Sequence, residues 1–132
     1  GAVMSKSTVI MISALLLFAF PFTAGAWDVE VVNETGVDFD LKIYGNHLFW
    51  NQVDCRVTVP PRSVGHCQMP FLICPIYGEA THLSGWTLVH THIGMGLQGG
   101  DILPACYNTR LRIFTVERLG HVYIEYESGA RW

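Results

Sequence analysis

The chain has 132 residues, half of them apolar and 14% charged, with a formal charge of −3 at pH 7. That mild acidity argues against nucleic acid or anionic lipid as a partner, because both need clustered Lys and Arg. Four cysteines in so short a chain make the redox compartment the first question.

The N-terminus answers it. Gly1-Ala2-Val3 precede Met4 and read as a cloning remnant. Met4, Ser5 and Lys6 form a weakly positive start, and Thr8 to Phe20 runs without a charge. Pro21 then breaks the run, and Ala24-Gly25-Ala26 supplies small residues beside a scissile bond. This order is that of a secretory signal peptide over residues 4–26, with Trp27 the first mature residue and an extracellular or periplasmic destination. The competing reading is a retained membrane anchor, since the uncharged stretch from Ser7 to Trp27 approaches the ~20 residues that span a bilayer. Its strongly apolar part is only ~13 residues, the length of a signal peptide's apolar region, which favours cleavage. The mature form is then expected to have no membrane attachment. Loss of Lys6 with the leader would move the charge from −3 to −4.

Residues 27–132 are one domain's worth of chain, and no segment has a helical period. Trp27, Val29 and Val31 alternate with Asp28 and Glu30, and Asn33-Glu34-Thr35-Gly36 follows as a turn. Val37, Phe39, Leu41 and Ile43 then alternate with Asp38, Asp40, Lys42 and Tyr44, the clearest period of two in the chain. Cys55 to Val59 and Val64 to Met69 flank Pro60-Pro61-Arg62-Ser63 as a hairpin. A short apolar piece, Phe71 to Tyr77, is pinned by Pro70 and Pro75, and a strand runs from Trp86 to Ile93. Leu111 to Glu117 and Val122 to Glu127 flank Arg118-Leu119-Gly120 as a last hairpin. Seven to eight short strands with Gly, Pro and Asn turns predict an all-β fold, a small antiparallel β-sandwich or barrel.

An even cysteine count in a short exported chain predicts two disulfides. Cys55 and Cys67 are equidistant from Pro61 and would face each other across a hairpin, within bridging reach. That leaves Cys74 with Cys106. Cys67 with Cys74, and Cys55 with Cys106, is the next arrangement.

Gly94-Met95-Gly96-Leu97-Gln98-Gly99 matches G-x-G-x-x-G, but Gly100, Asp101 and Pro104 block the helix that dinucleotide binding requires. It reads as a flexible glycine loop. His90-Thr91-His92 is the most suggestive chemistry. Residues two apart on a strand share a face, so two imidazoles could grip Zn²⁺ or Cu²⁺. The third ligand would be His82, with His66, His121, Asp101 or Met95 as further candidates. Trp86 and Leu88 share that face, so this strand is the expected contact surface, either lining a pocket or forming an exposed patch. Phe49 and Trp50 join it, because the consecutive apolars Leu48-Phe49-Trp50 cannot all face one core. Asn33-Glu34-Thr35 is an N-glycosylation sequon on a turn, relevant if the source is eukaryotic.

No free cysteine and no G-x-S-x-G elbow offers a nucleophile. The sequence therefore predicts an exported module that binds a protein or a glycan without a cofactor. A metal-binding protein built on His90 and His92 is the alternative, and a small hydrolase the least supported reading.

Overall fold

The computed structural model describes residues 26–131, so the expected leader, residues 4–26, lies outside the described residues apart from Ala26. Eight strands follow in chain order: β1 (Asp28–Asn33), β2 (Phe39–Asn46), β3 (Asn51–Val59), β4 (Ser63–Gln68), β5 (Cys74–Ser84), β6 (Thr87–Gly94), β7 (Thr109–Arg118) and β8 (His121–Ala130). They form a β-sandwich of two four-stranded sheets, ordered β4-β1-β7-β8 and β3-β2-β5-β6. Every pairing is antiparallel except β1 with β7. The period-two segments supply the core. Val29 and Val31 from β1, Phe39, Leu41 and Ile43 from β2, and Leu111 and Ile113 from β7 are buried between the sheets, as alternation on a half-buried strand requires.

Both disulfides of the hairpin argument are present, Cys55–Cys67 and Cys74–Cys106, with Cα separations of 5.9 and 4.9 Å. The geometry of the first differs from expectation. β3 pairs with β2, and β4 pairs with β1, so the chain crosses between sheets at Pro60-Pro61-Arg62 and Cys55–Cys67 laces one edge of the sandwich shut. Gly65 allows the close corner, because a Cβ there would stand 2.9 and 3.0 Å from Val59 and Val57 methyls.

The stretch expected as a short apolar piece is instead the start of the longest strand, the 11-residue β5. Pro75 enters it at a register shift, where Tyr44 pairs with Tyr77 but Gly45 with Pro75. A residue lacking an N–H is tolerated at such a bulge. Beyond β6, the glycine loop is a folded knot. Met95 is fully buried, Gly96 N donates to Gly100 O at 2.7 Å and Leu97 N to Leu103 O at 2.8 Å. Any Cβ on Gly94 or Gly96 would collide with the carbonyls of Gly99 or Leu103, so these glycines serve close approach of backbone to backbone.

The two ends of the sandwich differ. The β2–β3, β4–β5 and β6–β7 connections make a loop end. The other connections make a hairpin end, where β5–β6 and β7–β8 run on past the start of β2 and the end of β1 as two projecting arms.

Candidate binding site

The strand β6 points Leu88, His90 and His92 away from the core, and Val89, Thr91 and Ile93 toward it. Trp86 stands fully exposed in the β5–β6 turn. The outward alternative for this surface is therefore the observed one. Its Trp86 end does not join Phe49 and Trp50, however. Those lie on the β2–β3 turn at the loop end, about 30 Å from Trp86 by strand rise, while His92, level with Lys42 through Glu79, sits between the two. Trp86 and Trp50 therefore mark opposite ends of the expected surface.

The expected ligand set also comes apart. His82 pairs in register with Val89 and faces inward onto Phe39, at 4.9 Å between ring centroids, whereas His90 and His92 face outward. His90 Nδ1 lies 3.0 Å from the Thr81 hydroxyl and 3.5 Å from Glu79, and His92 Nε2 lies 3.0 Å from Asp101. His66 pairs with Asp28 on the other sheet, and Met95 is core. Among the described residues, no three His, Cys, Asp or Glu side chains are grouped to hold a metal ion.

Asn33 is not the exposed acceptor its sequon suggested. It is 1% exposed, and its amide nitrogen is spent on the carbonyls of Val37, Val59 and Pro60. A glycan needs that nitrogen free and in solvent. The folded chain offers neither.

The β2–β3 turn is the most elaborated exposed feature. Leu48 and Phe49 are each 85% exposed, yet Trp50 beside them is held by a closed circuit of side chains. The Trp50 indole donates to Gln52 Oε1 at 2.9 Å, and the Gln52 amide donates to Asp54 Oδ1 at 2.8 Å. Asp54 Oδ2 meets His47 Nε2 at 2.7 Å, and the His47 ring stacks back on Trp50, 5.4 Å between centroids and 3° from parallel. Below the circuit, Asn46 donates to Asn51 at 3.1 Å. The backbone is shaped for it. Ile43 pairs with Cys55 and Tyr44 with Val53, so Asp54 is the extra residue of a β-bulge. Gly45 leaves room beneath, since a Cβ there would collide with the Asp54 carboxylate and Ile73. The result is an exposed aromatic plane fixed on one side by imidazole.

Gln52 and Asp54 were missed from sequence. Their signal was present in part, because Trp50, Gln52 and Asp54 are spaced two apart and so share a strand face. The return through His47 depends on the bulge, which no local pattern marks. Further exposed apolar side chains gather at the same end: Leu72 on the β4–β5 connection, and Ile102 and Leu103 on the β6–β7 loop.

Two disulfides point to folding in an oxidising environment. Among the described residues no helix is long and apolar enough to cross a membrane. No protein-family model, curated protein or solved structure matches this chain.

Proposed function

We propose that the protein is an exported recognition module that binds a protein partner through its loop end, with Trp50 as the anchoring side chain. The observation that carries this reading is the closed Trp50–Gln52–Asp54–His47 circuit. Interface hot spots are enriched in Trp, and holding such a side chain in its bound pose reduces the ordering cost of association. Leu48 and Phe49 extend the anchor into an apolar tip larger than the single platform a sugar ring needs. A protein pocket suits that tip better than a glycan.

The test uses the exported protein as bait for extracellular proteins, followed by affinity measurement on each purified candidate. Trp50→Ala should weaken binding by about 30-fold, the equivalent of ~2 kcal/mol, with an unchanged melting temperature. Trp86→Ala, at the opposite end, should leave affinity within a factor of about three. Gln52→Ala should fall between them, since it frees the indole without removing it. Binding indifferent to Trp50→Ala would sink the reading. A glycan array bound by the wild type and by a Leu48→Ser/Phe49→Ser double variant, but lost on Trp50→Ala, would transfer it to carbohydrate.

A further inference from the structure

The two sheets treat their cations differently. Arg110, Arg112 and Arg118 of β7, and Arg131 just past β8, each hold a carboxylate at 2.6 to 2.8 Å. The β3-β2-β5-β6 sheet leaves two cations without one. Lys42 on β2 and Arg56 on β3 stand directly opposite each other in the ladder. Neither makes a hydrogen bond or an ion pair among the described residues. Like charges set opposite each other on neighbouring strands destabilise the pairing. With eleven acidic residues against eight basic ones, composition does not force that arrangement.

The two cations belong to an ordered surface. Pairing in register sets Arg56, Lys42, Glu79 and His92 in one outward row across the four strands, and Thr58, Asp40, Thr81 and His90 in the next. Each row is about 14 Å wide and the two lie about 7 Å apart. On the other flank of the first row Tyr77 is held between two rings, with Tyr44 stacked at 4.4 Å and His92 tilted at 4.8 Å. Burial, with Tyr44 and Glu79 beside it, raises the Tyr77 pKa, so its phenol stays a hydrogen-bond donor. Arg56 and His92 are exposed, and Lys42, Tyr44, Tyr77 and Glu79 partly so. A ligand on this face can reach all of them.

The carboxylates nearby are engaged elsewhere. Asp40 accepts from the Thr58 hydroxyl at 2.7 Å, Glu79 lies 3.5 Å from His90 Nδ1, and Asp101 lies 3.0 Å from His92 Nε2. A groove of about 300 Å³ runs over the two cations, lined by residues 40–42 and 56–58.

Charge complementarity selects the occupant. Two adjacent cations call for an anionic group, and the planar fork of Arg56 suits a carboxylate through two parallel bonds. Asp40, Glu79 and Asp101 stand around them, so a densely charged chain such as nucleic acid or an acidic peptide is repelled. The hydroxyls of Thr81, Tyr44 and Tyr77 along the same face match a chain rich in hydroxyls.

We propose that the outer face of the β3-β2-β5-β6 sheet binds an acidic glycan, with the carboxylate of a uronic acid held between Lys42 and Arg56 and neighbouring sugars lying along Tyr44 and Tyr77. The glycan carries its charges sparsely, each uronate separated from the next by a neutral sugar. This site lies on the flank of the sandwich and not at its loop end, so it stands or falls separately from the Trp50 reading.

The probe is a hexasaccharide alternating glucuronate with N-acetylglucosamine, titrated into isotopically labelled exported protein. It should saturate and move the amide resonances of residues 40–44, 56–58 and 77–81. The same sugar with its carboxylates reduced to alcohols should bind about tenfold more weakly, the loss of a charged hydrogen bond. Lys42→Met and Arg56→Gln should each weaken the uronate sugar by about tenfold. Neither should lower the melting temperature of the free protein, because each relieves the like-charge pair. Tyr44→Phe should weaken the uronate and the reduced sugar alike, by about threefold, and Trp50→Ala should bind the sugar normally. No saturable shift at millimolar sugar overturns the proposal, as does binding indifferent to Arg56→Gln or to carboxylate reduction. Tighter binding of hexaglutamate would move the site to acidic peptides. Tighter binding of a sulfated, carboxylate-reduced sugar would move it to sulfate, and either outcome overturns the uronate assignment.

Discussion

With its amide nitrogen donating to the carbonyls of Val37, Val59 and Pro60 at 2.8, 3.1 and 3.0 Å, Asn33 ties the end of β1 to the β1–β2 turn and the end of β3. Its oxygen accepts from the Thr35 backbone at 3.0 Å and the Thr35 hydroxyl at 2.7 Å. Removing the side chain leaves buried carbonyls unpaired, each worth about 1–3 kcal/mol. Asn33→Ala is therefore expected to cost ~3 kcal/mol in urea unfolding, with an unchanged slope against denaturant. A loss below ~0.5 kcal/mol, the range of an ordinary surface substitution, would show that the clamp does not matter. His82 gives a second expectation. Burial lowers its pKa from the ordinary 6.5, so the unfolded chain takes up a proton more readily than the folded one. Stability should then fall as pH drops below 6.5 toward the lowered value. In His82→Phe that decline should be absent. Glu30 acts in a separate window. Its hydrogen bond from Arg110 lowers its pKa from 4.5, so its contribution is lost only on further acidification. A wild-type urea midpoint as steep between pH 7 and 5 in His82→Phe would refute the assignment.

At the scale of elements, the alternating segments that became β1, β2, β7 and β8 were legible because each buries one face, and a period of two leaves little choice of register. β5 was not. Its middle reads Gly78-Glu79-Ala80-Thr81-His82, poor in the branched and aromatic residues that mark strands. The small residues are there for packing. A Cβ at Gly78 would stand 2.8 Å from the Met95 sulfur and 3.5 Å from Ile43, so tertiary fit overrides propensity. The cysteine pairing was legible from spacing, although the reason given for it, a hairpin within one sheet, was replaced by a crossing between sheets. The two bridges close loops of different length, with sequence separations of 12 and 32. Loop-closure entropy assigns ~3 kcal/mol to the shorter and ~4 kcal/mol to the longer. Cys74→Ser/Cys106→Ser should accordingly lower the urea midpoint more than Cys55→Ser/Cys67→Ser. The reverse order would mean that lacing the sheets together outweighs loop length.

The whole molecule carries an asymmetry that no element shows alone. Its loop end is tied by Cys74–Cys106, by the backbone bond from Ala105 to Pro75 at 2.8 Å, and by the Asp54 circuit beneath Trp50. Its hairpin end carries two arms that face one another across an open cleft. Past Ile113, β7 has β8 as its only partner, and past Thr81, β5 has only β6. An isolated two-stranded hairpin is marginally stable in water, so these arms should open locally without the core. Hydrogen exchange reads this directly. Amides of β1, β2 and the first half of β7 should exchange only through global unfolding, and those of residues 83–89 and 115–124 about 100-fold faster. Removing Cys55–Cys67 should quicken exchange at β3 and β4 and leave the arms unchanged, because that bridge sits on the opposite edge. Arms that exchange as slowly as β1 in the free protein would instead mean that the two sheets behave as one cooperative unit to their tips.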